Sequence, residues 1–159
     1  MLKFECKGLD TLVAARKLAD LPKEKPTLDN LVSRAEEFEK TCKDEAEALR
    51  VYEQAAKLYP GKAAVLSNLA RLLATAEEKD LRNPKRALPL AREAAKLTDE
   101  KNVAVLDALA QVLHANGELA EAARYAQLVS EKNPNNEDLA KRAKKYAKDA
   151  KKLKQKDTD

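Results

Sequence analysis

VLDALAQVLHANG (residues 105–117) runs into ELAEAARYAQLVSEKN (residues 118–133), and the pattern stops at Pro134. Leu106, Leu109, Ala110 and Leu113 fall at i, i+3, i+4 and i+7, one face of a helix. Asn116-Gly117 interrupts that face, because glycine accepts the positive φ at which a helix ends tightly. Ala122, Ala126 and Val129 then form a second apolar stripe, which Pro134 closes. The stretch Val103 to Asn136 therefore predicts a helical hairpin, with small residues where its two helices approach closely.

The same punctuation recurs upstream. Ala63 opens a helix with Leu66, Leu69, Ala70 and Leu73 on one face, and Ala87, Ala91, Ala94 and Leu97 form the stripe of its partner. Asn83-Pro84 reads as an N-cap followed by the first helical position. Pro89 removes a backbone donor after the first turn, which predicts a kink or a later helix start. Ala76 to Asn83 is longer than a tight turn needs and is expected to project as a mobile loop. Further upstream, Thr27 caps a helix carrying Leu28, Leu31, Val32, Ala35, Phe38 and Cys42 on one side. Lys43-Asp44 turns the chain, and Ala48, Tyr52 and Ala55 form the stripe that ends at Pro60-Gly61.

This unit resembles the tetratricopeptide repeat (TPR), whose first helix has a large residue, then a Leu and a small residue, then a second large residue. Leu106, Leu109, Ala110 and Leu113 occupy those positions, and Ala122, Ala126 and Pro134 occupy those of the second half. The departures are Leu106 for Trp, Leu113 for Tyr and Ala126 for Phe; they keep the small contacts and lose aromatic bulk. The first repeat is divergent, with Glu36 and Glu39 where a small and a large apolar residue belong. The resemblance implies an all-α fold: an α-solenoid of about three stacked TPR-like hairpins over 27–62, 63–102 and 103–136. An N-terminal arm and helix over 1–26 would precede it. Glu137 to Leu153, with Leu139, Ala143, Tyr146, Ala150 and Leu153 on one stripe, would cap it, leaving 154–159 as a disordered tail. Within 1–26, Leu2, Phe4 and Cys6 alternate with Lys3, Glu5 and Lys7 as in an extended arm, and Asp10 is placed to cap a helix reaching about Leu21.

Composition narrows the function classes. The chain has 159 residues, 4% aromatic and 36% charged, as expected of helices packed through Ala and Leu with solvated outer faces. Three glycines leave little for phosphate-cradling loops. No apolar run reaches the roughly 18 residues of a membrane span, and no signal peptide is visible. Location is cytoplasmic by default, although the sequence could be a fragment of a longer or exported protein. Two cysteines and one histidine cannot complete an all-Cys/His tetrahedral zinc site. Cys6 and Cys42 read as buried or idle thiols, with a Cys6–Cys42 bridge as the alternative. No cofactor or metal is expected.

Stacked TPR hairpins line a concave groove with their first helices. The resemblance places Asn30, Ser33, Arg34 and Glu37 there from the first repeat, and Ser67, Asn68, Arg71 and Thr75 from the second. Asp107, Gln111 and His114 follow from the third, and Lys141, Lys145 and Lys148 from the closing helix. The carboxylate clamp of chaperone-binding TPRs is absent: Asn68 matches, but Ser33, Glu37, Ala104 and Ala108 replace its other members. Ser67, Asp107 and His114 superficially suggest a triad, yet side chains one hairpin apart are too distant for a relay. His114 is therefore expected to be exposed and idle, and no enzymatic activity is expected. From Glu137 onward there are nine Lys/Arg against five Asp/Glu, whereas residues 1–136 hold 22 of each sign. That bias favours a protein or peptide partner with acidic side chains. Nucleic acid is disfavoured, because the lysines surround the helix and only Tyr146 could stack on a base. The alternative function is structural: assembly into a larger complex, or self-association through solenoid surfaces.

Overall fold

The computed structural model describes residues 26–156, and among them the fold is all-helical, with seven α-helices. The chain divides into two compact units between Tyr59 and Pro60. Proposed features before Pro26, including the N-terminal arm and helix, lie outside the described residues.

The first unit contains α1 (Leu28–Glu37) and α2 (Glu45–Leu58), packed as a hairpin. Thr27 caps α1 by accepting from the Asn30 N–H at 3.3 Å. The helix does not stop at Glu37 but widens into a π-turn, Phe38–Cys42, which keeps Phe38 and Cys42 on the buried side with Leu31 and Ala35. Lys43 then takes φ +55, and Asp44 caps α2 by accepting from the Glu47 N–H. Ala48, Tyr52 and Ala55 are buried as the stripe predicts. The Tyr59 hydroxyl donates to the Pro26 carbonyl at 2.9 Å, tying the end of α2 to the chain just before α1. Cys42 is buried and disulfide-bonded, which corrects the expectation of an idle thiol; Cys6 lies outside the described residues.

The second unit runs through α3 (Ala63–Thr75), α4 (Pro84–Leu97), α5 (Val103–Ala115), α6 (Leu119–Lys132) and α7 (Glu137–Lys156). Helix α3 packs on α4 and α5, α4 on α5, α5 on α6, and α6 on α7. Its core is built from the residues whose spacing predicts it. Leu66, Leu69, Ala70 and Leu73 of α3 are buried, as are Leu106, Leu109, Ala110 and Leu113 of α5. Alanines 87, 91, 94, 122 and 126 bring the second helices close to the first, since a methyl group leaves the backbones little to clear. Leu97 departs from this pattern at 50% exposure, two residues beyond Ala95, the last buried side chain of α4.

Helix α4 begins at Pro84 as the cap reading predicts, with the Asn83 carboxamide oxygen accepting from the Arg86 N–H at 3.0 Å. It continues through Pro89, so the later start is not adopted. The segment from Ala76 to Asn83 is more anchored than a projecting loop. Ala76 is buried, the Asn83 N–H donates to the Leu73 carbonyl at 2.7 Å, and the Arg82 guanidinium donates to the Ala76 and Glu77 carbonyls. A 3-10 turn at Lys79–Leu81 completes it. After α4, Asp99 and Glu100 both take left-handed φ, +48 and +55, in the turn that leads to α5.

The second helices are also joined by charge. Arg92 of α4 reaches Glu118 at 2.8 Å and Glu121 of α6 at 2.9 Å. The hydrogen bond from Arg92 is the main reason the Glu121 carboxyl lies below its ordinary range. Helix α7 reaches Lys156, three residues beyond the predicted end of the cap, and 157–159 lie outside the described residues.

Candidate functional site

The polar positions of α5 sit on a narrow strip, because Leu, Val and Ala cover the rest of that helix with buried side chains. Asp107, Gln111 and His114 follow one another at i, i+4 and i+7 on this strip. Their fates differ. Arg142 of α7 donates to both carboxylate oxygens of Asp107, and the Gln111 amide donates to Asp107 Oδ2 at 2.9 Å. Seven residues further along each helix, His114 Nε2 lies 2.9 Å from Asp149 Oδ2. The His114 ring also stacks on Tyr146, with centroids 4.0 Å apart and planes 9° from parallel.

The expectation of an exposed, idle His114 is therefore corrected. Its side chain is 25% exposed and belongs to the seam between α5 and α7. The sequence signal for this was present: Arg142, Tyr146 and Asp149 fall at i, i+4 and i+7, a stripe of α7 able to face the polar strip of α5. The hydrogen bond with His114 is the main cause holding the Asp149 carboxyl below its ordinary range. Burial raises the Tyr146 hydroxyl, and the nearby carboxylates of Asp107 and Asp149 add to that rise against the opposing pull of Arg142.

On α3 the predicted positions also separate. Ser67 is buried at 5% exposure, and its hydroxyl donates to the Ala64 carbonyl at 3.1 Å, so it does not present itself to a partner. Asn68 and Arg71 are half-buried, and Thr75 is exposed with its hydroxyl on the Arg71 carbonyl. In α7, Lys141, Lys145 and Lys148 are exposed. With Lys152 they fall at i, i+4, i+7 and i+11, beside the stripe that meets α5, so these lysines form a line rather than a scatter. Lys144 and Lys151 lie on a different flank, with Ala140 and Ala147. In the first unit, Arg34 sits 5.6 Å above the centre of the Phe38 ring, while Asn30, Ser33 and Glu37 are exposed.

Ser67, Asp107 and His114 are each bonded to other groups, namely Ala64, Arg142 with Gln111, and Asp149. They are not joined into a relay. No group of three or more His, Cys, Asp or Glu able to hold a metal occurs among the described residues. No helix among them is long and apolar enough to cross a membrane.

Beyond the seam, a cleft of about 360 Å³ opens between His114, Leu119, Asp149, Lys152 and Leu153. Leu153, expected to be covered as part of the cap's apolar stripe, is 45% exposed at its edge. No protein-family model matches the chain, and neither does any curated protein.

Proposed function

We propose that the chain is a non-catalytic, TPR-like interaction module whose second unit receives a protein or peptide partner on the side lined by α3, α5 and α7. The observation that carries this reading is the paired register of α5 and α7. Asp107 meets Arg142 and His114 meets Asp149, each across 35 residues, so the two helices run parallel and in step. Parallel first helices in step are what stacked hairpins require, and such stacks bind along that surface. Arg71, Thr75 and Gln111 then form the floor, Lys141, Lys145 and Lys148 form one wall, and Asp107 and His114 form the seam that holds α5 to α7. An acidic partner would be drawn by the lysine wall, with a rate that falls as salt screens it.

Photo-crosslinking from single positions tests the reading. A crosslinking residue at Gln111 or Thr75 should capture one defined protein from the native source, and the same residue at Lys96 or Gln127 on the second helices should not. Capture of that protein only from the second helices would remove the groove and favour a structural role through outer surfaces.

A further inference from the structure

The cleft beyond the α5–α7 seam combines features that nothing in the packing of the fold requires. Leu119 is half-exposed and Leu153 is 45% exposed, so two aliphatic side chains reach solvent side by side at the cleft. Lys152 forms part of its wall. Lys145, one turn before Asp149 on α7, adds with Lys152 to the positive field around that carboxylate. The one carboxylate in the lining, Asp149, is engaged by His114. What the cleft offers an incoming chain is thus an apolar floor under a cationic edge. Building on the groove reading above, we propose that this cleft is an anchor pocket for a single aliphatic side chain carried by an acidic peptide segment, whose carboxylates lie along Lys145, Lys148 and Lys152.

Size and charge decide among occupants. The cleft's lining of five residues, two of them leucines, suits one aliphatic side chain and is far short of the roughly 20–30 residues per side of a stable protein pair. A second copy docking here would set lysine against lysine, since Glu137 to Lys156 carries nine Lys/Arg and three Asp/Glu. An anionic membrane would satisfy the lysines, but Ala143 and Tyr146 are already buried against the unit and leave α7 little apolar face to insert. An acidic chain with one aliphatic anchor uses both the floor and the edge.

The test uses the full chain and a short acetylated, amidated peptide of glutamates around one leucine, followed by methyl and amide NMR shifts and by fluorescence anisotropy. The Leu119 and Leu153 methyls should shift. Replacing the peptide leucine by alanine, or making Leu153→Asp, should each weaken binding more than tenfold. Lys145→Glu with Lys152→Glu should do the same, and the distant Lys96→Glu should have no effect. Because Leu153 is half in solvent, the fold of its variant is checked by an unchanged melting curve. The proposal is overturned if the alanine peptide binds equally, if a lysine peptide around the same leucine binds equally, or if only anionic vesicles bind. If Arg71→Glu weakens the peptide but Leu153→Asp does not, the groove stands without this pocket. If neither variant matters, both readings fall.

Discussion

His114 of α5 and Asp149 of α7 meet at 2.9 Å while the same imidazole lies flat on Tyr146 at 4.0 Å, so one side chain fastens the last helix through both an edge and a face. Helix α7 has few other apolar holds; Ala143 and Tyr146 are its buried side chains. Its main packing is on α6, and this ring with the Asp107–Arg142 pair supplies its hold on α5.

Removing the ring should loosen α7 selectively. In His114→Ala, amide hydrogen exchange should accelerate along α7 and remain close to wild type in α3 and α4. Uniform acceleration across the second unit would show that His114 supports the whole core instead.

Acid should have the same selective effect. Asp149 is held below its ordinary carboxylate range by His114. A depressed carboxylate stabilises the folded form above its unfolded pKa, about 3.9 for Asp, and that stabilisation disappears as pH falls through the lower folded value. Carboxyl NMR titration of Asp149 should therefore show a midpoint below that of a model peptide, and His114→Ala should return it upward. An unchanged midpoint in the variant would break the assignment.

Arg92 makes a parallel case between the second helices. Glu121 lies low because of Arg92, so its contribution too is present above the ordinary Glu range and is lost on acidification through the folded value. Arg92 is 41% exposed, which restricts Arg92→Ala to about 0.5–1 kcal/mol in urea unfolding at neutral pH. That cost should shrink once Glu121 is protonated.

The core prediction is larger. Leu109 is 1% exposed. Leu109→Ala removes a packed side chain where the surroundings relax only partly, and it should cost about 2–5 kcal/mol. A loss below about half a kilocalorie would contradict burial at this position.

The segment after α3 gives a kinetic test. Arg82 ties back to the Ala76 and Glu77 carbonyls. Arg82→Ala should speed tryptic cleavage after Lys79 several-fold. Equal rates would mean that the 3-10 turn and the Asn83–Leu73 bond suffice to protect it.

Apolar spacing made the helices legible. The faces of α3 and α5 and the alanine stripes of α4 and α6 could be read because a 3.6-residue period leaves few ways to bury leucine and alanine. The caps at Thr27 and Asn83 were equally plain, since each side chain has one backbone donor within reach; Asp44 reads only as part of a turn until it is seen to accept from the Glu47 N–H. What periodicity could not reveal was the destination of polar residues. Asp107 and His114 look like solvent-facing positions, yet each is spent on a partner in α7 that only the three-dimensional arrangement supplies, while the buried Ser67 hydroxyl turns back on the Ala64 carbonyl of its own helix. Arg82 was obscured for the same reason: a charged loop reads as mobile until its guanidinium finds two carbonyls. The widening of α1 into a π-turn left no sequence mark of its own.

The uncovered flank of α7 has a meaning for polymerisation. Ala140, Lys144, Ala147 and Lys151 are spaced as one helical stripe, and the two lysines on it are exposed. A helix arriving there would have to strip water from those ammonium groups and leave them without counter-charges. Docking of a further helix on this flank, as head-to-tail association through it would require, is disfavoured by those two side chains. Changing both to leucine would make the flank apolar and open to association.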